Sequence, residues 1–159
     1  MQLLIDDRAG HFHIFAGRLR SAAGRMGRAL ALPPETVVSL VLCPVRTLSR
    51  LGLRHFGRGA ATDVIAFPTG FDGLPGLLGE IWIAPDMVAR NGLAFGKGLN
   101  GELLFVLAHG LLHLLGEDDD TPRRRAAMFQ KQEKLLAACR LGQGELPKVI
   151  ARPGSRGGR

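Results

Sequence analysis

The sequence predicts a single α+β domain in which one small mixed β-sheet of about four strands packs against about five α-helices. Three observations predict this class. The chain has 159 residues, a length that fits one domain with its own hydrophobic core. Apolar residues make up 46% of it. Short β-branched runs alternate with segments whose apolar residues recur every three or four positions, so strands and helices are interleaved.

The first half of the chain contains two predicted strands and two predicted helices. In order, they are a strand at 2–7, a helix at 11–32, a strand at 36–43 and a helix at 44–54. The first helix is amphipathic, and Pro33 and Pro34 predict its end because proline cannot continue helical hydrogen bonding. The second strand is a continuous β-branched and apolar run, which is typical of a buried strand. Pro44 suits the first turn of the second helix.

The second half contains two more strands and three more helices. In order, the strands are at 62–68 and 77–85, and the helices are at 85–96, 101–116 and 122–140. Asn100 is a good N-cap for the middle helix of the three, and Gly116 is a natural stop for it. Thr121 caps the last helix, with Pro122 at its first position. Residues 1–141 are therefore expected to form one sheet covered by helices.

The chain is basic, and its end is more basic still. Residues 142–159 are rich in glycine, proline and arginine and have no periodicity, which predicts a flexible basic tail. Over the whole chain, 21 Lys and Arg residues stand against 14 Asp and Glu residues, for a formal net charge of +7. Such a surface favours polyanionic partners, with nucleic acid as the first candidate. A solvated, arginine-rich surface has the same composition, so charge alone leaves both interpretations open.

Several features indicate a cytoplasmic protein. No apolar run reaches the roughly 18 residues that a membrane span needs, and two acids follow the short apolar start, unlike a signal peptide. Cys43 and Cys139 do not form a metal-ligand pattern, and we expect both to be reduced packing residues.

The segment LAHGLLHLLGEDDD, residues 107–120, places two histidines in an apolar helix and then four acids. His109 and His113 are four residues apart, so both rings lie on one helix face, one turn from each other, as a tetrahedral metal needs. Gly116 lets the chain leave the helix, so that Asp119 can return a carboxylate as the third ligand. The alternative stays open that the histidines are hydrogen-bonded core residues and the acids a solvated helix end.

The residue after the first histidine of the pair is Gly110. Metallopeptidases of the H-E-x-x-H type carry at this place the glutamate that activates their water. A peptidase built on this histidine pair would lack its general base. The pattern therefore argues strongly against a metallopeptidase.

Three blocks of the sequence resemble the YbeY family of bacterial endoribonucleases, also called rRNA maturation factors. The family motif H-G-x-L-H-L-x-G-Y-D-H appears here as HGLLHLLGEDD at 109–119. The block P-T-D-V-L-S-F appears as ATDVIAFP at 61–68, and the G-D-I strand as LGEIWIA at 78–84. The order and spacing of the three agree, and the resemblance covers residues 1–138.

The resemblance implies an α+β domain with one zinc ion per chain, held by three histidines of the motif. It also implies a role in maturation of the 3′ end of 16S rRNA and in ribosome quality control, with rRNA and the small ribosomal subunit as partners. His109 and His113 match two of the zinc ligands, while the third matching position is Asp119. A carboxylate also suits zinc, but it lowers the net charge of the site by one. We therefore expect a less acidic bound water and slower cleavage at neutral pH.

The side of the site that would hold the RNA backbone also departs from the family pattern. Phe56 stands where the family usually has an arginine. We expect Arg58, with Arg54 as the alternative, to reach the same cleft, although each can equally be a surface arginine. Ala66 replaces a serine and removes one hydroxyl from the cleft.

Four residues near the matching blocks have smaller expected roles. Thr62 and Asp63 are expected to shape the entry of the strand rather than to touch substrate. Asp118 matches the aspartate of the family and is expected to orient a ligand or cap the turn. Glu117 replaces the usual aromatic residue, and the sequence assigns it no role.

The leading hypothesis is metal-assisted cleavage of single-stranded RNA. His109, His113 and Asp119 hold the metal in this hypothesis, His113 is also a catalytic residue, and Arg58 with neighbouring cations holds the RNA backbone. The alternative is a ribosome-assembly or RNA-binding factor, non-catalytic or weakly catalytic, whose metal is structural. A metallopeptidase is the third and weakest hypothesis, and a monomer is the favoured oligomeric state.

Overall fold

The structure, a computed structural model, describes residues 1–10, 16–57, 62–69, 75–94 and 98–140. Within these ranges the chain forms the predicted four strands and five helices. In chain order they are β1 (Gln2–Asp7), α1 (Ala16–Ala29), β2 (Val37–Leu42), α2 (Val45–Phe56), β3 (Val64–Pro68), β4 (Leu77–Ile83), α3 (Pro85–Ala94), α4 (Gly98–Leu114) and α5 (Pro122–Arg140). The predicted tail at 142–159, and with it the domain boundary, lies outside the described residues.

The strands form one mixed sheet in the order β1-β2-β4-β3. β1, β2 and β4 run parallel, and β3 pairs antiparallel with β4. The β-branched run that predicts a buried strand is β2, which lies inside the sheet and fully buries Val38, Leu40 and Leu42. β3 is the last strand in this order and forms an edge of the sheet. The predicted α+β class is confirmed.

Helices cover the two faces of the sheet unequally. Side chains of α1, α4 and α5 join one face of the sheet in the main hydrophobic core. A smaller cluster of Cys43, Leu48, Ile65 and Ala84 includes Leu48 of α2 and lies on the opposite face, because neighbouring strand residues alternate between faces. None of the helices in the described ranges is long and apolar enough to cross a membrane.

Helix α4 approaches the sheet closely because glycines stand at the contact. A Cβ atom placed on Gly110 would lie 2.7 Å from Cγ2 of Ile81. A Cβ atom on Gly79 of β4 would lie 2.6 Å from Cδ2 of Leu114. Both distances are well below the roughly 3.5–4.0 Å of a favourable carbon–carbon contact. Gly110 therefore faces the sheet, and any side chain at this position would push α4 away from β4.

Helix α1 ends at Ala29, earlier than Pro33 and Pro34 predict. Ala31 adopts a left-handed conformation with φ 53°. The N–H of Leu32 then donates to the carbonyl of Gly27 at 2.9 Å, and the N–H of Ala31 donates to that of Arg28 at 3.0 Å. This turn satisfies the last carbonyls of the helix without a glycine. The predicted start at 11–15 lies outside the described residues.

Three helix starts test the predicted caps. Helix α4 begins at Gly98, so Asn100 is not its N-cap, because a cap needs non-helical backbone and Asn100 is already helical. Pro44 is the extended N-cap residue of α2 and lies one position before its first turn. Thr121 caps α5 as predicted, since its Oγ1 accepts the N–H of Arg124 at 3.2 Å.

Both cysteines are free and buried, as predicted. Burial raises the pKa of the Cys43 thiol to about 11 and also raises the pKa of the Cys139 thiol. Thiols in this state are protonated at neutral pH and unreactive. The two residues therefore serve in packing.

The close approach of α4 predicts that Gly110→Ala destabilises the fold. We expect the free energy of unfolding to fall by about 1–3 kcal/mol, because the added methyl group overpacks the contact with Ile81. Gly24→Ala in α1 is the matched control: its Cβ would meet only Nη1 of Arg28, at 3.9 Å. It should stabilise the helix by about 0.5–1 kcal/mol. Urea unfolding curves with equal slopes measure both values, and equal stability of the two variants would contradict the packing role of Gly110.

Candidate metal centre

Helix α4 carries both histidines of the candidate centre on one face, one turn apart. Nε2 of His109 lies 2.9 Å from Nε2 of His113, and the two rings meet nearly edge to face at 82°. Their side chains are 24% and 29% exposed, so packing holds each ring while part of it stays accessible. The predicted placement of the two rings on one helix face is therefore present.

The turn that ends α4 brings an acid back to the histidines. Gly116 is left-handed with φ 83°, which lets its N–H donate to the carbonyl of His113 and the N–H of Glu117 donate to that of Leu112, both at 3.0 Å. The chain reverses here, as predicted. Oδ2 of Asp119 then lies 3.8 Å from Nε2 of His109, and Oδ1 lies 3.9 Å from Nε2 of His113.

The three side chains fit a metal ion. One ligand atom from each of His109, His113 and Asp119 lies within 4.8 Å of the other two, and no other such group occurs in the ranges that the structure describes. Ligands at about 2.0–2.2 Å from a tetrahedral ion are about 3.3–3.5 Å apart. The two nitrogens are slightly closer than this and the carboxylate slightly farther, so small side-chain rotations suffice. Two imidazoles and a carboxylate are also ligand types that zinc accepts.

The same turn sets the tautomer of His113. Its Nδ1 lies 3.0 Å from the carbonyl oxygen of Glu117, which can only accept a hydrogen bond. In the neutral ring Nδ1 therefore carries the proton, and Nε2 presents a lone pair toward His109. A backbone carbonyl in this place is the usual partner that orients a metal-binding histidine.

Gln132 of α5 plays the corresponding part for His109, and the sequence analysis missed it. The residue is only 3% exposed, and its side-chain amide donates to the carbonyl of Phe105 at 3.4 Å. A side-chain hydrogen bond with Gln132 also raises the pKa of His109. The amide oxygen of Gln132 is suited to accept an N–H of the ring, because the amide nitrogen is engaged with Phe105. The only signal in the sequence was a polar residue on the buried stripe of α5, between Met128 and Leu135.

Burial and the neighbouring groups together lower the pKa of His109 and keep its imidazole neutral. Burial is the largest of these effects and lowers the pKa, and the neighbouring His113 lowers it further. The hydrogen bond with Gln132 and the charges of Asp119 and Asp63 oppose this shift but do not reverse it. A neutral imidazole is the form that binds a metal. Because the carbonyl of Glu117 holds the proton of His113 on Nδ1, the Nε2 lone pair of His113 faces Nε2 of His109, an arrangement that suits a shared cation.

The histidines line an anionic cleft of about 360 Å³. The rest of its described lining comes from the start of β3, from α4 and from the turn after it. Asp63, Glu102 and Asp119 contribute carboxyl groups, whereas no lysine or arginine occurs among the described lining residues. The cleft therefore attracts cations, and it cannot hold a phosphate backbone through the described lining alone.

The start of β3 is fixed by side chains. Oγ1 of Thr62 donates to the carbonyl of Val64 at 2.9 Å, and Nδ2 of Asn91 donates to Oδ2 of Asp63 at 2.9 Å. Thr62 and Asp63 thus shape the strand entry, as expected, and both also line the cleft. Ala66 lines it as well, at the position where the family motif has a serine.

Two acids of the turn, Asp118 and Glu117, stabilise it without being candidate metal ligands. Oδ1 of Asp118 accepts the backbone N–H of Asp119 at 2.9 Å, in line with the expected capping of the turn. The side chain of Glu117 pairs with Lys131, which ties the turn to α5. Glu117 therefore has two roles, this ion pair and the carbonyl that orients His113.

Among the described residues, none of those expected to bind the RNA backbone lines the cleft. Arg58 lies outside the described residues. Arg54 is exposed on α2 and does not line the cleft, so the structure does not bring this alternative into the site. Phe56, at the position of the usual arginine, is 57% exposed at the end of α2. The catalytic roles given to Arg58 and His113 stay predictions.

A small α+β fold with a histidine pair and a carboxylate at an anionic cleft is typical of metal-dependent hydrolases. Comparison with known proteins specifies the class further. The family model described as Endoribonuclease YbeY matches residues 15–140. The chain therefore belongs to the YbeY endoribonuclease family, whose members cut phosphodiester bonds of RNA.

Relatives agree with this assignment, and a solved structure has a similar fold. Endoribonuclease YbeY of Renibacterium salmoninarum is 37% identical over 117 residues, which cover 69% of this chain and 74% of the relative. Endoribonuclease YbeY of Shouchella clausii is 31% identical over 139 residues, covering 80% and 87%. The solution structure of TM1509 from Thermotoga maritima matches the fold with a TM-score of 0.58 at 23% identity, covering 92% of this chain and 99% of that one.

The contacts of Gln132 predict that it controls metal affinity. Gln132→Leu should weaken zinc binding about 10–100-fold, because His109 loses the partner that orients its ring. Gln132→Glu should weaken zinc binding less than Gln132→Leu, since a carboxylate still accepts an N–H of the ring although it loses the hydrogen bond to the carbonyl of Phe105. Gln130→Leu, on the exposed side of α5, is the matched control. Competition titration against a chelator measures the affinities, and equal affinity in the two leucine variants would contradict the role of Gln132.

The lowered pKa of His109 predicts acid sensitivity of the metal-free protein. The ordinary pKa is 6.5 and the folded value is lower, so the unfolded chain binds more protons. The free energy of unfolding should therefore fall as the pH drops below about 6.5 toward the folded pKa. His109→Gln should lose less stability over the same interval. Urea unfolding with a chelator present measures this, and parallel losses in both proteins would refute the assignment to His109.

Proposed function

We propose that this protein is a zinc-dependent, single-strand-specific endoribonuclease that acts in maturation of the 16S rRNA 3′ end and in ribosome quality control. The observation that carries the proposal is the convergence of His109, His113 and Asp119 at the cleft of a YbeY-family fold. The rRNA and the small ribosomal subunit are the proposed partners, in the cytoplasm. The net charge of +7 supports a polyanionic substrate.

His109, His113 and Asp119 are the proposed ligands of one zinc ion. Bound zinc would supply Lewis-acid polarisation of a phosphoryl oxygen and activation of a water molecule. The protein contributes the orientation of its ligands: Gln132 and the carbonyl of Glu117 hold the two rings so that both Nε2 atoms face the same point. Asp119 adds a negative charge where the family has a third imidazole, which predicts a lower rate at neutral pH than a three-histidine centre has.

The size of the cleft supports a preference for single strands. Its volume of about 360 Å³ is that of a small-molecule site and admits a nucleotide but not a duplex. A nucleotide must therefore leave the base stack to enter, which costs least in single-stranded RNA. Asp63, held by Asn91, then provides a fixed oxygen acceptor beside the bound nucleotide, in a cleft that Glu102 also lines.

Removal of the returning carboxylate tests the proposal. Asp119→Ala should lose stoichiometric zinc and cleave a labelled single-stranded RNA about 10²–10³-fold more slowly, because the metal supplies several kcal/mol of transition-state stabilisation. Asp120→Ala is the matched control: it removes a neighbouring acid that pairs with Arg124 at 3.0 Å and takes no part in the cluster.

Metal analysis and cleavage assays on both variants, with His113→Ala as a second ligand variant, give the measurement. Equal zinc content and equal rates in the variants of Asp119 and Asp120 would refute the metal centre. Cleavage of a matching duplex at the same rate as the single strand would refute the proposed preference.

The alternative function is a ribosome-assembly or RNA-binding factor with a structural metal. Three departures from the family motif favour it: Asp119 for histidine, Ala66 for serine and Phe56 for arginine. Normal ribosome maturation by a variant that has lost all cleavage would support this alternative. A metallopeptidase is not proposed, because Gly110 packs against Ile81 at the position of the required glutamate.

A further inference from the structure

RNA binding poses an electrostatic problem at this cleft, and the inference below rests on the proposed endoribonuclease function. The described lining holds three carboxyl groups, those of Asp63, Glu102 and Asp119, and no basic side chain. Protein–RNA affinity comes largely from cations that neutralise phosphates. The surface that holds the strand must therefore lie beyond the described lining of the cleft.

Three basic residues of α5 contact the acidic turn, and two of them, Arg124 and Lys131, do so through ion pairs; Arg125 donates to the backbone carbonyl of Asp119 at 3.4 Å. Arg124 lies 3.6 Å from Asp118 and 3.0 Å from Asp120. Lys131 pairs with Glu117. These charges hold the acidic turn in place, so they offer little to an incoming phosphate.

Helix α2 carries basic residues without such partners. Arg46, Arg50 and Arg54 are spaced by four residues, so they form one exposed stripe with a rise of about 6 Å from one charge to the next. The helix contains no acidic residue. Within the ranges that the structure describes, none of the three arginines has an ion pair.

Large apolar side chains lie beside this stripe. Leu53 is 59% exposed and Phe56 is 57% exposed, values that need an explanation in a helix whose other face is packed. Phe56 stacks on Phe67 at 6.3 Å with an angle of 20°, and His55 meets the edge of Phe67 at 5.0 Å. The Phe56 ring is therefore held in one orientation while much of it faces solvent.

The position of α2 connects it with the cleft. Phe67 lies on β3, next to Ala66, and β3 is an edge strand of the sheet. Ala66 lines the cleft on one face of the strand, and Phe67 receives the aromatic end of α2 on the other. A strand that leaves the cleft over β3 thus meets Phe56 and Arg54 first and the rest of the stripe after them.

We propose that the exposed face of α2, formed by Arg46, Arg50, Leu53, Arg54 and Phe56, binds single-stranded RNA outside the cleft. The guanidinium groups contact successive phosphates, and Phe56 stacks on an unpaired base. Arginine side chains interleaved with an exposed aromatic ring form the combination that single-stranded nucleic acids favour. This α2 face supplies the cations that the described cleft lining lacks.

Salt dependence of binding tests this proposal. In the variant R46Q/R50Q/R54Q, the slope of log affinity against log salt should become shallower by about 2, because each phosphate contact on a single strand contributes about 0.7. The control R20Q/R28Q/K134Q removes three charges from exposed positions on α1 and α5. Fluorescence anisotropy with a short labelled single-stranded RNA, shown by gel to stay intact, measures both slopes. Equal changes in the two variants would show an effect of net charge alone and overturn the proposal.

Loss of the aromatic ring is tested separately. Phe56→Leu keeps an apolar side chain but should weaken binding of the single strand about five-fold or more, with an unchanged salt slope. Binding of a duplex of the same sequence should not change, since its bases are not free to stack. Unaltered binding of the single strand would overturn the role of Phe56.

The unchanged protein separates the two proposals. If it binds and cleaves the single strand while R46Q/R50Q/R54Q binds with the same affinity and slope, only the role of α2 fails. If the unchanged protein neither binds nor cleaves RNA, the proposed function fails and the α2 face with it.

Discussion

The contact between α4 and β4 is the constraint on which the rest of the structure depends. Gly110 lies against Ile81 so closely that a side chain has no space, and this fixes the rotation of α4 about its axis. With Gly110 directed at the sheet, His109 and His113 point about 60–100° to one side of that direction. They consequently face the edge strand β3, whose first residues complete the cleft. Gly110, which stands where a metallopeptidase has its catalytic glutamate, thereby positions the two histidines.

The turn after α4 converts this placement into a set of three ligands. Left-handed Gly116 closes the helix and sends the chain back, so that Asp119 reaches the histidines. The hydrogen-bonded turn also places the carbonyl of Glu117 at Nδ1 of His113, which fixes the tautomer of the ring. The position of the third ligand and the tautomer of His113 thus have one local cause. His109 lies one turn farther back, beyond the reach of this turn, and depends on Gln132 from α5 instead.

Much of this could be predicted from sequence, because the signals were local. β1 and β2 follow from their apolar runs, and the spacing of His109 and His113 with Gly116 and Asp119 is a pattern of neighbours in the chain. The early end of α1 was not predictable, because an alanine seldom adopts the left-handed conformation that Ala31 has.

Gln132 was missed for a different reason, which is that its partners are distant in sequence. Phe105 lies 27 residues away, and a single polar residue on an apolar helix stripe does not reveal which neighbour it bonds. The packing reason for Gly110 was hidden in the same way, since Ile81 belongs to another element. Residues that act through local turns could therefore be assigned from sequence, whereas those that act through packing between elements required the fold.

The distribution of charge has a consequence for binding. A cleft lined by three carboxyl groups stabilises a bound divalent cation and repels a phosphate. RNA therefore gains little from approaching this cleft before its negative charge has been balanced. Cations placed inside the cleft would relieve the repulsion, but they would also compete with the ion for Asp119. A basic surface on α2, across the edge strand from the acids, lessens that competition, because salt screens the interaction between exposed charges more strongly as their separation grows. The separation of acidic and basic surfaces would thus let one small domain attract both a divalent cation and a polyanion.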